Sequence, residues 1–163
     1  MKKLFILSFF IVLLTAGCTK ESEKKKTVSA VRITGIHLNT YPVTNGGVPW
    51  DDPFLGSATG PDITWAIRGP ENFDSGYMAQ NADGTAIQFT NGLPINLNKP
   101  KDQYVIEFWD LDDLDASDFA SEDDLMFSTA FTAWTSEADE ERDALILYIN
   151  NAEIVIDVDY LFE

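Results

Sequence analysis

QYVIEFWDLDDLDASDFASEDDLMFSTAF, from Gln103 to Phe131, is the stretch on which the reading of this chain turns. Gln103 to Trp109 alternates apolar and polar residues with the period of two that marks a half-buried strand. Leu125 to Phe131 begins a second apolar segment of strand length. Between them Asp110, Asp112, Asp113, Asp115, Asp118, Glu122, Asp123 and Asp124 gather with no basic residue. The acids therefore lie in a connection between two buried elements and not in a free tail. Carboxylates a few ångströms apart repel by about 1 kcal/mol even in water, and by more where water is thinned out. A solvated loop relieves this by splaying its side chains. A hard cation relieves it by binding them, and Ca²⁺ takes six to eight oxygens in flexible geometry.

Outward from this segment the pattern repeats. Ser29 to Leu38 reads as a strand whose phase slips at Gly35, which predicts a bulge. Asn39 to Asp62 is rich in Gly, Pro, Asn and Asp, has no sustained period, and reads as a long loop. Ile63, Trp65 and Ile67 alternate against Thr64, Ala66 and Arg68. Ser75 to Gln80 is a weak strand, joined through Asn81-Ala82-Asp83-Gly84 as a hairpin turn to Thr85 to Thr90. Asn91 to Asp102 reads as a polar connection. Thr135 to Arg142 suggests a helical turn, with Glu137, Asp139, Glu140 and Glu141 facing water. Ala144 to Ile149 is apolar on both faces and reads as a central strand. Ala152 to Phe162 has the cleanest alternation, with Ile154, Ile156, Val158, Tyr160 and Phe162 on one face. Eight strands, no long helix and no repeat predict an all-β fold, an eight-stranded antiparallel Greek-key β-sandwich spanning residues 29–163. Its longest connections, first to second strand and fifth to sixth, can leave the same end. That would bring Asp51, Asp52 and Asp62 toward Asp110, Asp112 and Asp118.

Asp110-x-Asp112-x5-Asp118, following Ile106-Glu107-Phe108-Trp109, resembles the third calcium loop of C2 domains, the β-sandwich module of protein kinase C and the synaptotagmins. Asp62, just before Ile63-Thr64-Trp65, matches the second aspartate of that family's first calcium loop, and Asp52 (or Asp51) matches the first. The resemblance implies a permuted C2-like sandwich holding Ca²⁺ through Asp52, Asp62, Asp110, Asp112 and Asp118. Basic residues of the kind that family uses for membrane contact are sparse in these connections.

The start of the chain reads separately. Lys2 and Lys3 precede an apolar run, Leu4 to Leu14, too short to span a bilayer. Leu14-Thr15-Ala16-Gly17-Cys18 resembles the lipobox of bacterial lipoproteins, which implies cleavage before Cys18 and a diacylglycerol thioether with palmitate-type chains on its sulfur. Residues 1–17 then form a signal peptide, and residues 18–28, polar and Lys-rich, a flexible tether. The domain is then expected outside the cytoplasm in the cell envelope, anchored to a membrane. Cys18 is the single cysteine, so disulfides, thiol catalysis and cysteine metal sites are excluded. The formal charge of −16 becomes two units more negative without Lys2 and Lys3. A chain this acidic does not suit nucleic acid, whose binding needs Lys and Arg against phosphate.

Other chemistries fit less well. An EF-hand loop begun at Asp113 would place Asp118 where glycine is required and Asp124 where glutamate is. The lone histidine, His37, sits in a strand, no Gly-x-Ser-x-Gly occurs, and the acids lie on loops, so a non-catalytic binding module is expected. The ligand of that module is an unknown protein, lipid or glycan. Trp50 and Trp109 flank the acidic connections and would suit stacking on a sugar, so a carbohydrate-binding module is the second reading. An ion-free structural envelope lipoprotein is the third.

Overall fold

The computed structural model of the chain describes residues 26–50, 60–76, 79–80, 82–111 and 124–163. Residues 1–17, Cys18, Asp52, Asp112 and Asp118 therefore lie outside the described residues.

β1 (Val28–Thr40) is the organising strand. Val31, Ile33, Ile36 and Leu38 are all fully buried although their spacing breaks the period of two. The break is a bulge between Ile33 and Gly35, where two residues of β1 oppose one of its neighbour. A Cβ at position 35 would press on the Asp157 carboxylate, which would have to move aside. His37 Nε2 lies 2.7 Å from that same carboxylate, which gives the lone histidine a structural partner.

A small hairpin, β2 (Thr44–Asn45) and β3 (Val48–Pro49), follows β1. The chain then crosses to a second sheet with β4 (Ile63–Arg68) and β5 (Phe73–Asp74). It returns with β6 (Ile87–Phe89) and β7 (Ile95–Leu97), which succeed one another along the same edge of β1. β8 (Gln103–Asp110) and β9 (Asp124–Thr132) extend the second sheet, and β10 (Ala144–Ile149) and β11 (Ala152–Phe162) complete the first. The sheets run β10-β11-β1-β6, with β7 also on β1, and β5-β4-β8-β9, every pairing antiparallel. With β6 and β7 taken as one interrupted strand, each sheet has four strands. This is the eight-stranded antiparallel Greek-key sandwich that the alternation predicts.

The core lies between the inward rows. Ile33, Ile36 and Leu38 of β1 oppose Val158, Ile156 and Ile154 of β11. Trp65 and Ile67 of β4 oppose Phe108 and Ile106 of β8. Phe89 of the first sheet meets Phe108 of the second at 6.1 Å between ring centroids, and Phe108 stacks on Phe127 at 5.1 Å. Each such ring or branched aliphatic contributes roughly 1.5–3 kcal/mol by leaving water.

Four expectations need correction. Asp83-Gly84 does turn, with Gly84 at φ 91°, but the residues beyond it join different sheets, so no hairpin forms. The strand expected at Ser75 to Gln80 is displaced to Phe73–Asp74, leaving an isolated bridge from Ala79 to Ile63. β10 is an edge strand and not a central one, with Ile146 56% and Tyr148 70% exposed. Asp139 is buried in the 3₁₀ turn Glu137–Glu141, whereas Glu137 and Glu141 are exposed.

Candidate functional site

Register decides where the aspartates sit. Asp110 opposes Ile63 on β4 and Asp124 on β9, so it lies where β4 begins and β8 ends. Along β8 the inward row is Tyr104, Ile106, Phe108 and Asp110, all buried. The row of core side chains thus finishes in a carboxylate that is only 1% exposed. The Asp62 N–H donates to Asp110 Oδ1 at 2.6 Å, and the Leu111 N–H donates to the Asp62 carbonyl at 3.0 Å. These two bonds continue the β4–β8 ladder by one residue and lock Asp62 beside Asp110. Leu111 is itself buried, at 2%, which explains the apolar residue inside Asp110-x-Asp112.

Both Asp-bearing connections leave this one end. β1 finishes here, because Leu38 opposes Ile87 and Thr40 opposes Glu153. The β10–β11 turn, with Asn150 at φ 51°, lies at the same end. The segment before β6 ties the two sheets together. The Ala82 N–H donates to the Pro61 carbonyl at 2.8 Å. The Tyr41 hydroxyl donates to the Thr85 carbonyl and accepts from the Gly84 N–H, both at 3.0 Å. Burial pushes the Tyr41 hydroxyl pKa up, so it stays a neutral donor at any ordinary pH. This bridge through residues 82–85 carried no sequence signal, because it depends on which sheet each flanking strand joins.

The structure therefore brings the main chain of Asp62 against the carboxylate of Asp110. Their donor chemistry, carboxylate and carbonyl oxygen, fits a hard cation and not a soft metal. Among the described residues no group of three or more His, Cys, Asp or Glu side chains gathers as a metal site. Asp52, Asp112 and Asp118, the remainder of the expected set, lie outside them.

The tryptophans sit differently from the acids. Trp109 neighbours Asp110 in sequence but faces away from the core, between Thr64 and Leu125, with its Nε1–H on Glu107 Oε2 at 3.2 Å. Trp50 closes the β2–β3 hairpin, its Nε1–H on the Pro42 carbonyl at 3.1 Å. Both rings are half-buried, whereas Trp65 is fully enclosed in the core.

Fold and site together define an antiparallel Greek-key β-sandwich with an aspartate pair at the end from which two long connections emerge. No family model and no curated relative matches the chain. Among solved structures it is similar to the paired C2 domains of extended-synaptotagmin 2, with a TM-score of 0.49 and 14% identity over 99% of this chain and 49% of that one. It is also similar to a Drosophila C2-DSL-EGF1 structure, with a TM-score of 0.46 and 9% identity over 80% of this chain and 66% of that one. The chain thus spans about half the length of the first and just under two thirds of the second.

Proposed function

We propose that this chain is a non-catalytic, lipid-anchored binding module whose aspartate-bearing end binds Ca²⁺. Asp110 carries the reading. It is a carboxylate at the end of the core row, nearly sealed from water, held by the Asp62 N–H and followed by a run of further acids. Burying a carboxylate costs several kcal/mol unless hydrogen bonds and opposite charge offset it. The Asp62 amide is one such hydrogen bond, and a cation shared with Asp62, Asp112, Asp118 and Asp52 would add opposite charge. The bound ion would join the two connections into one rigid surface for a protein, lipid or glycan ligand.

Asp110→Asn tests this at one atom. The amide oxygen can still accept the Asp62 N–H, so the ladder survives while the charge is lost. Calcium affinity by titration calorimetry should fall at least about tenfold, since site affinity follows the count of charged ligands. Asp102→Asn, at the opposite end of β8, should leave affinity unchanged. Equal effects of the two changes would reduce the site to a diffuse acidic surface.

The anchor is a separate part of the proposal and rests on Leu14 to Cys18. Cys18→Ser should release the protein from membranes or leave it as unprocessed precursor. Mature protein of that variant that still requires detergent would contradict the lipoprotein reading.

Stacking of Trp50 and Trp109 on a glycan is the second reading, favoured by rings that are neither buried nor fully exposed. Trp109→Ala should then abolish retention on a glycan array while the melting temperature stays within a few degrees of the parent. A loss of about 3–5 kcal/mol would mark the ring as packing instead.

A further inference from the structure

We propose that the lysine-rich segment Lys20–Lys26 folds back onto its own domain and lies in the cleft between β11 and the 3₁₀ turn. β11 outruns its neighbour. Ala144, the first residue of β10, opposes Asp157, and the Val158 N–H still donates to the Asp143 carbonyl at 2.9 Å. Before Asp143 the chain belongs to the turn Glu137–Glu141. The rest of β11 therefore keeps β1 on one side and has this turn, not a strand, on the other. A cleft of about 330 Å³ opens there. Glu140, Glu141 and Asp143 line one wall, and Asp159, Tyr160 and Phe162 line the other.

The cleft suits an extended, basic segment. Hydrogen bonds alternate in direction along an antiparallel strand. Val158 bonds toward β10, and Glu163 bonds toward β1 through its paired contacts with Thr27 at 3.4 and 3.1 Å. By that alternation Tyr160 and Phe162 direct their backbone groups to the side of the cleft. The Tyr160 hydroxyl is buried and has no hydrogen-bond partner among the described residues. Burial pushes its pKa up, so it stays a donor. Buried polar groups nearly always find a partner, and a backbone carbonyl in the cleft would supply an acceptor. Four carboxylates make the walls negative, while the Arg142 guanidinium beside them is bound to Asp139. Phe162, 45% exposed, offers a ring to the stem or ammonium of a lysine.

The chain itself delivers the occupant. Thr27 is paired with Glu163, one residue beyond Phe162. Four of the eleven basic residues, Lys20, Lys24, Lys25 and Lys26, lie within seven positions on its N-terminal side. Of this segment only Lys26 belongs to the described residues. From β1 across β11 to the cleft is two strand spacings, about 10 Å. The three residues from Thr27 to Lys24 span roughly that distance when extended. Covalent linkage over so short a path gives an effective concentration on the order of millimolar, which a separate basic peptide would have to exceed. The contact depends neither on the ion nor on the lipid.

Carbodiimide treatment of the full chain in detergent tests this, because it joins an ammonium to a carboxylate only where the two touch. Mass spectrometry should find Lys24 and Lys25 joined to Glu140, Glu141, Asp143 or Asp159 of the same chain. Trypsin should cut after Lys24 and Lys25 at least tenfold faster when Glu140→Lys and Glu141→Lys are combined. The same charge change made with Asp83→Lys and Glu153→Lys, at the opposite end of the sandwich, should leave that rate unchanged. Equal acceleration by both pairs would overturn the proposal and leave only a general attraction of lysines to an acidic surface. Cross-links spread over the acids of both ends, or joining two copies, would overturn it as well.

Discussion

Asp139→Ala should lower the stability of the domain by about 2–4 kcal/mol, because it removes a buried charged acceptor from three donors. Asp139 Oδ2 receives the Thr135 N–H and Thr135 hydroxyl, both at 2.6 Å, and the Ser136 N–H at 3.0 Å. Its other oxygen lies 3.0 Å from Arg142 Nη2. The carboxylate therefore fixes the start of the 3₁₀ turn and its exit toward β10. Without it two backbone N–H groups and a hydroxyl, on the exposed Thr135 and Ser136, lose a charged acceptor that is itself only 4% exposed. For a domain of this size the loss corresponds to roughly 10 °C in melting temperature. Glu141→Ala, at the exposed end of the same turn, should change it by no more than a degree or two. A similar small shift for both would show that Asp139 is solvated.

The same residue gives a sign to the pH dependence. The Thr135 side-chain hydrogen bond, with the Thr135 and Ser136 N–H groups and Arg142, outweighs burial and holds the Asp139 carboxyl below its ordinary value. Glu71 is lowered too: burial pushes it up most strongly, but Asn98, Tyr104 and Lys99 together outweigh that. A carboxyl with a lowered folded-state value stabilises the fold fully above its unfolded value of about 4. That stability is lost as pH falls from there through the lowered value. Acid unfolding in denaturant should accordingly start near pH 4, and Asp139→Ala should flatten that limb of the curve.

Why one acid of this turn is buried while its neighbours are not was invisible in the residues. Glu137, Asp139, Glu140 and Glu141 look alike as a charged run, and only the packing of Thr135 and Ser136 selects Asp139. The β-structure was more open to reading wherever a strand faces the core on one side and water on the other. β11 alternates without interruption, and the slip at Gly35 corresponds to the bulge of β1. β10 misled for a physical reason. Apolar residues on both faces ordinarily mean a strand covered on both sides, yet Ile146 and Tyr148 are left in the open. β7 was missed because three residues beside Pro94 give too short a period to register.

The aspartates divide in the same way. Spacing placed Asp62 before one strand and Asp110 at the end of another, and the antiparallel register of β4 and β8 brings them together. Nothing in the sequence distinguished Asp110 as the sealed carboxylate. Its burial follows from being the last member of the Tyr104, Ile106, Phe108 row, which only the pairing phase of β8 reveals.

Calcium should stabilise the folded domain more than any single surface substitution could. A ligand that binds only the folded state adds RT ln(1 + [L]/Kd), about 2.7 kcal/mol at a hundred times Kd. With a Kd in the tens of micromolar, millimolar Ca²⁺ should raise the melting temperature by several degrees. General screening of a chain with charge −16 by any divalent cation would also stabilise it, so magnitude alone does not discriminate. Selectivity does. Mg²⁺ keeps its waters and demands strict octahedral geometry, which a flexible cluster of aspartates does not supply. The direct measurement is thermal unfolding with matched concentrations of Ca²⁺ and Mg²⁺ at constant ionic strength, for the parent and for Asp112→Asn. A shift specific to Ca²⁺ that Asp112→Asn largely abolishes is the expected result; equal shifts with both ions, unchanged by the substitution, would contradict a calcium site at this end of the sandwich.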